Sequence, residues 1–391
     1  MKHTEHFDEL LHTRRCTLLG LGPMSRNCVD AIIELGNELK TPFMLIASRR
    51  QVEAKEFGGG YVNNWTTEDF AEYVRGRDRG GYIVLVRDHG GPWQNYSEVA
   101  QKMNLKDAME SAKRSFAADI KSGFHMIHID PSIDIHKTPT QEEVLERLFE
   151  LYKFCADVAR REGKEIFFEF GTDEQSGDLE DISVFENLLK KIVAFCQEHA
   201  LPKPYFVVAQ TGTKVKEMCN VGDLAASAVS SPDAAAAQAH VHKLVEVCNR
   251  YGIRLKEHNA DYLSDEILGW HPRAGVHAVN VAPEFGVFET KHILRVCDDF
   301  GLTAERERFL KLAYDSQKWG KWMVANTTAT DVDRAVIAGH YVFSNPEFQK
   351  IKERIAAACK ARGFDLDFSI RQGLKYSMMR FIYNLNLHHG Y

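Results

Sequence analysis

Cys16-Thr17-Leu18-Leu19-Gly20-Leu21-Gly22-Pro23-Met24-Ser25 is an apolar run of strand character that breaks at two glycines before a helical pattern begins. A doubly wound sheet that binds a dinucleotide carries Gly-x-Gly-x-x-Gly at this first junction, and Pro23 interrupts that fingerprint. Outward from this junction the same unit recurs. Further strand candidates lie at Pro42–Ala47, Tyr82–Arg87, Phe124–Ile129, Glu165–Phe170, Tyr205–Gln210, Ile253–Glu257 and His277–Val281. Helical patterns fill the gaps, clearest at Asn104–Ser122, Gln141–Glu162, Ile182–His199 and Pro232–Tyr251. Pro232, following Ser230-Ser231, reads as an early-turn proline behind a cap. Strand followed by helix eight times over predicts an α/β fold, the (β/α)8 TIM barrel, across residues 1–300. Residues 301–391 offer no strand and read as a helical extension, packed on the barrel or used in assembly. No low-complexity linker separates the two, so one compact body is expected.

Composition narrows the function classes. At 391 residues and 44% hydrophobic, the chain has ample material for a large core. Lys plus Arg number 49 against 55 Asp plus Glu, a net −6 without a basic block, which argues against a nucleic-acid binder. No apolar run approaches the ~18–20 residues of a membrane span, and Met1–Asp8 lacks the apolar core of a signal peptide. A cytoplasmic protein is expected. The eight cysteines are scattered, with no Cys-x-x-Cys, and read as free thiols rather than disulfides or zinc ligands.

In a barrel, chemistry belongs at the carboxyl ends of the strands. Those ends read Ser48-Arg49-Arg50-Gln51, Arg87-Asp88-His89-Gly90-Gly91-Pro92-Trp93, His128-Ile129-Asp130-Pro131-Ser132, Glu169-Phe170-Gly171-Thr172-Asp173-Glu174, Gln210-Thr211-Gly212-Thr213-Lys214, Glu257-His258-Asn259-Ala260-Asp261 and Asn280-Val281-Ala282-Pro283-Glu284. Imidazoles focused among carboxylates suit a borderline divalent cation, Zn²⁺ or Mn²⁺. Asp88-His89-Gly90-Gly91-Pro92-Trp93 is the sharpest signal, with a carboxylate and an imidazole adjacent and glycines that let backbone approach a ligand.

The chain resembles the tagatose-bisphosphate aldolase Z-subunit family, relatives of class II metal-dependent ketose-bisphosphate aldolases and of ketose 4-epimerases. The resemblance spans residues 16 to 300, through Phe57-Gly58-Gly59, Asp88–Gln94, His128–Ser132, Gly171-Thr172, Gln210-Thr211-Gly212, His258–Tyr262 and Asn280–Pro283. It implies Asp88 as general acid/base, His89 and His258 as metal ligands, Glu169 beside the metal, and Asn280 on the substrate. A further ligand position of the family falls on Gln210 or a neighbour, a weaker donor than histidine. Ser48, Arg49, Asp130, Gly212, Lys214, Asn259 and Asp261 complete the expected substrate-binding set. Where class II aldolases carry a Gly/Ser phosphate loop, this chain has Asn259-Ala260-Asp261-Tyr262, and Asp261 would repel a phosphate. Either phosphate binds elsewhere, through Gly212, Lys214 or Arg49, or the substrate carries none.

Two functions follow from the resemblance. In one, a divalent ion, Zn²⁺ favoured over Mn²⁺, assists retro-aldol chemistry on a ketose or ketose phosphate, ending in C3–C4 cleavage or C4 epimerisation. In the other, the chain is a non-catalytic subunit that stabilises a separate catalytic aldolase. A homo-oligomer is expected in either case.

Each residue also has a structural alternative. Asp88 could cap the turn after its strand. His89 and His258 could be packed, hydrogen-bonded imidazoles, and Glu169 could pair with Arg87 across the mouth. Gln210 suits a structural role better than ligation. Asp130 could orient His128 or touch ligand. Arg49 could grip a carboxylate or phosphate or balance acidic neighbours. Lys214 is a second anchor, since a carboxylate-rich mouth suits a metal better than a Schiff base. His125 and His128 fall on opposite faces or at different depths of one strand, and the spacing of His240 and His242 does not place them on one helix face. Cys219 reads as a loop thiol.

Overall fold

The computed structural model describes residues 3–171, 179, 181–224 and 232–388. Eight parallel strands close into a barrel: β1 (Leu18–Leu21), β2 (Phe43–Ser48), β3 (Ile83–Gly90), β4 (Met126–Ile129), β5 (Phe167–Phe170), β6 (Phe206–Val208), β7 (Arg254–Glu257) and β8 (Ala278–Val281). β8 pairs with β1, Gly20 facing Asn280 in the register, and this contact seals the ring. Each strand lies within one of the eight runs read from sequence or extends it by up to three residues. The TIM barrel is therefore the fold, with a C-terminal helical region.

Period-two alternation sorts every strand into an inward and an outward set. Phe168 of β5 faces outward and stacks on Tyr152 of the helix Gln141–Arg161 at 4.0 Å between ring centroids. Capping residues set where helices begin. Asn104 caps Leu105–Ser122, and Thr140 with Glu143 forms a capping box on Gln141–Arg161. The cap read at Ser230-Ser231 lies outside the described residues. All eight cysteines are free, seven of them buried, and Cys219 is exposed in a small hairpin (Val215–Lys216 with Cys219–Asn220).

Outward-facing Arg87 explains why the barrel tolerates a charge in its wall. Its guanidinium bonds Asp119 at 2.6 and 2.8 Å, the carbonyls of Ala47 and Val52 at 2.8 Å, and Thr67 at 3.1 Å, all buried. The alternative pairing of Arg87 with Glu169 is not made, because neighbouring alternation puts them on opposite sides of the wall. Arg87→Leu is expected to destabilise by about 3–5 kcal/mol, since it strands the buried Asp119 carboxylate. Urea unfolding checks this, and adding Asp119→Leu should recover part of the loss.

Two elements lie outside the repeat. A helix, His3–Thr13, closes the amino end of the barrel, with Phe7 fully buried and Asp8 accepting from Tyr205 (2.8 Å) and Arg254 (2.7 Å). The C-terminal helices Thr303–Asp315, Asp331–Ala338, Pro346–Lys360 and Leu366–Asn384 wrap the outside. The last packs on the helices Arg26–Leu39, Asp265–Ala274 and Pro283–Phe300, pinned by Lys375 to Glu38 at 2.5 Å and Arg380 to Asp265 at 2.7 Å. The intervening stretch 319–342 turns back to the carboxyl end of the barrel, where Tyr341 packs on Tyr61 with centroids 4.9 Å apart. No helix among the described residues is long and apolar enough to cross a membrane.

Candidate functional site

At the carboxyl mouth the inward residues of β3, β4, β5, β7 and β8 converge below a cavity of about 460 Å³. Asp88 Oδ1 lies 3.6 Å from His128 Nδ1 and 3.8 Å from His258 Nε2. Glu169 Oε1 lies 3.6 Å from the same His128 nitrogen and 3.2 Å from the same His258 nitrogen. Two oxygens and two nitrogens thus form a closed quartet. Donors held ~2.0–2.1 Å from a tetrahedral zinc are roughly 3.3 Å apart, so this spacing is that of ligands around one small ion. His89 joins from the cavity side. The centroids of the His89, His128 and His258 rings are 4.9 to 5.2 Å apart, and these three nitrogens form a second set of candidate ligands. His128 and His258 belong to both sets.

The charges around the quartet also fit a cation. Asp88, Asp130 and Glu169 are buried carboxylates, and the fully buried cation among them is Lys256, whose Nζ is 2.7 Å from Glu169 Oε2. Burial alone would raise the Glu169 carboxyl, but Lys256, His128 and His258 outweigh it and hold it at about 2. Burial likewise works against ionised Asp88, yet His89, His128 and His258 hold its carboxyl far below the usual range. His89 is desolvated, which disfavours its cation, but Asp88 and Asp130 overcome this and raise it to about 9. Burial lowers His258 to about 4, so it presents a neutral donor nitrogen. His128 Nδ1, the nitrogen of the quartet, also accepts from the His89 amide at 3.3 Å, and the other ring nitrogen, Nε2, is buried with no hydrogen-bond partner among the described residues. Lys256→Met is expected to destabilise the metal-free protein by about 3–5 kcal/mol, because Glu169 loses its buried counter-charge. Zinc affinity should rise, since the ion then takes over that charge. An unchanged urea midpoint would remove Lys256 from the balance.

Supporting contacts fix each donor. Asp130 Oδ2 lies 2.9 Å from His89 Nδ1, and Asp130 is itself held by Ser132 and Gln94, the carboxylate–imidazole arrangement that orients metal-bound histidines. Asn280 Nδ2 donates to Asp88 Oδ1 at 3.3 Å. Gly20 owes its identity to this contact, for a Cβ there would collide with the Asn280 carboxamide oxygen. His89 (φ 44°) and Asn259 (φ 60°) hold left-handed backbone at the mouth, a strain concentrated at functional sites.

The other expected residues divide clearly. Ser48, Asp130, Lys214, Asn259 and Asp261 line the cavity with Asp88, His89, His258 and Asn280. Arg49 does not: fully buried, it bonds Glu53 (2.6 Å), Glu98 (2.8 Å) and the Gly91 carbonyl (2.8 Å), and so balances acidic neighbours rather than gripping a ligand. Gly212 (φ 79°) forms a turn whose carbonyl accepts from Leu224 N. Gln210 is buried at the end of β6. Gly90 and Gly91 serve packing, since a Cβ on either would strike Phe116 or the Asp130 carbonyl. Asp261 accepts from the amides of Ala282 (3.1 Å) and Glu284 (2.8 Å), filling the start of the helix Pro283–Phe300. Burial, then Glu284, pushes its carboxyl up to about 8. His125 sits at the other end of β4, its Nδ1 accepting from Leu85 N at 2.9 Å. Thr172, Asp173 and Glu174 lie outside the described residues.

Sequence reasoning missed His128 as a donor, Lys256, and the wall supplied by Tyr61, Lys321, Trp322, His340 and Tyr341. Parity could have found the first two. Lys256 lies two residues before His258, and His128 shares its inward face with Asp130.

No protein-family model matches the sequence, and no curated protein matches it. Solved structures do share the fold. A probable tagatose 6 phosphate kinase from Sinorhizobium meliloti 1021 superposes with a TM-score of 0.73 at 16% identity, covering 94% of this chain and 100% of the other. The fructuronate-tagaturonate epimerase UxaE from Cohnella laeviribosi gives 0.61 at 11% identity over 95% and 82%. A fructose-bisphosphate aldolase from Campylobacter jejuni gives 0.55 at 11% identity over 98% and 94%.

Proposed function

We propose that the chain is a metal-dependent enzyme that breaks and remakes the C3–C4 bond of a ketose or ketose phosphate, with C4 epimerisation and cleavage as two outcomes of one site. The observation that carries this reading is the convergence of His89, His128 and His258, with Glu169 and Asp88 beside them, under a sugar-sized cavity. Its mixed imidazole and carboxylate donors suit Zn²⁺ and accept Mn²⁺. When bound, such an ion supplies Lewis acidity to the C2 carbonyl.

The protein's own residues do the rest. Asp88, ionised and open to the cavity, takes the proton of the C4 hydroxyl as the C3–C4 bond breaks and its electron pair moves toward the C2 carbonyl. Asn280 holds one Asp88 oxygen. If the aldehyde departs, the outcome is cleavage. If it is retained, turns over and is attacked on its other face, Asp88 returns the proton and the C4 epimer forms. The names of the fold neighbours, an epimerase of keto-uronates and an aldolase of a ketose bisphosphate, support both branches.

Zinc-loaded protein incubated with fructuronate, tagatose 6-phosphate and fructose bisphosphate should convert at least one, with products read by NMR as a C4 epimer or an aldehyde. No conversion by a protein that binds zinc at this site would overturn the enzyme reading and leave that of a stabilising subunit.

A further inference from the structure

The cavity has two chemically distinct ends. One is the donor cluster with its carboxylates. The other is cationic, since Arg50, Lys214, Lys216 and Lys321 also belong to the cavity lining and Lys216 and Lys321 are bonded to each other. Arg50 and Lys321 form no ion pair with any described residue. Arg50 lies over the Tyr96 ring at 5.1 Å, and its Nε is buried without a hydrogen-bond partner. Lys321, an exposed residue of the C-terminal region, has its ammonium 4.5 Å from the Trp322 ring centroid and 5.7 Å from that of Tyr341. Lys216 Nζ donates to the Lys321 carbonyl at 2.8 Å, tying this segment to the barrel hairpin.

Two cations that form no ion pair among the described residues, Arg50 and Lys321, are stabilised when an anion enters the cavity they line. The usual anion seat of a barrel, the helix start after the eighth strand, is already filled by the Asp261 carboxyl group. An anionic ligand is therefore left to the cations of the cavity lining. We infer that Arg50 and Lys321 form an anion subsite that holds the carboxylate or phosphate of the substrate at the end remote from the bond that reacts. This rests on the ketose reading above. It gives the C-terminal region a role in substrate selection, because that region supplies Lys321.

The test is binding of four probes to zinc-loaded protein by calorimetry: fructuronate, tagatose 6-phosphate, inorganic phosphate and uncharged tagatose. The anionic sugars should bind the wild type at least about tenfold more tightly than tagatose. Lys321→Met, an exposed position, and Arg50→Gln should each erase most of that preference while leaving tagatose binding and zinc uptake unchanged. Tighter binding of fructuronate would identify a carboxylate substrate, and tighter binding of tagatose 6-phosphate a phosphate. A wild type that binds no anionic probe, or variants that keep the preference, would overturn the subsite. Failure of zinc uptake in the wild type would instead strike the metal reading, and inorganic phosphate binding to zinc-free protein would still report on Arg50 and Lys321.

Discussion

Metal-stripped protein titrated with zinc should take up one ion, and His128→Ala and His258→Ala should each weaken that uptake by more than ~100-fold. Losing a residue that merely orients a ligand costs roughly 10–100-fold, so losing a ligand shared by both candidate donor sets must cost more. Both imidazoles are buried, His258 is held neutral, and each stands 3.2 to 3.8 Å from the oxygens of Asp88 and Glu169. His89→Ala belongs to one set only and should cost less. Gln210→Ala provides the contrast. If the glutamine at the end of β6 is a ligand, its loss should match that of a histidine. If His128 occupies that role, affinity should hold within a few-fold. Manganese should bind the same site more weakly. Zinc uptake indifferent to both His128 and His258 would remove the metal centre altogether.

That His128 joins His89 and His258 in an imidazole triangle shows where sequence reading stops. The eight apolar runs specify the barrel because a parallel strand buried on both faces has little freedom in composition. Parity then tells which residues of a run point inward. It does not tell how deep they lie or which neighbours they meet, since that depends on the stagger of strands around the ring. Lys256 and Glu169 sit on different strands, and only the closed barrel brings their charges to 2.7 Å. The same limit hid Arg49, which reads as a strand-end anchor until the fold places Glu53 and Glu98 beside it. The C-terminal wall is harder still. Lys321 and Tyr341 reach the mouth through a fold-back more than two hundred residues from Asp88, and no local pattern records such a contact. Asp261 reads in sequence as a charge that repels phosphate, whereas the fold seats its carboxyl on the amides of Ala282 and Glu284, where burial and then Glu284 raise it to about 8.

Asp88→Asn is the substitution that separates chemistry from ligation. Asparagine keeps the shape and the contact with Asn280 but cannot take a proton, so turnover of whichever ketose the wild type converts should fall by ~10²–10⁴-fold, the usual worth of a positioned acid/base. Zinc affinity decides between the two donor sets. If the ion rests on His89, His128 and His258, with Glu169 beside them, removing the Asp88 charge should weaken uptake by less than about tenfold, because no ligand is lost. If Asp88 Oδ1 is itself a ligand, uptake and turnover should fall together. The geometry favours the first outcome. Asp88 Oδ1 is shared with Asn280, the carboxylate lines the cavity where a sugar hydroxyl would lie, and Asp130 already orients His89 as metal-binding histidines are oriented. A variant that kept full turnover would end the case for Asp88 as the base. The proton would then have to pass through another group at the mouth, such as His89, whose Nε2 lies 3.8 Å from Asp88 Oδ2 and which lines the cavity.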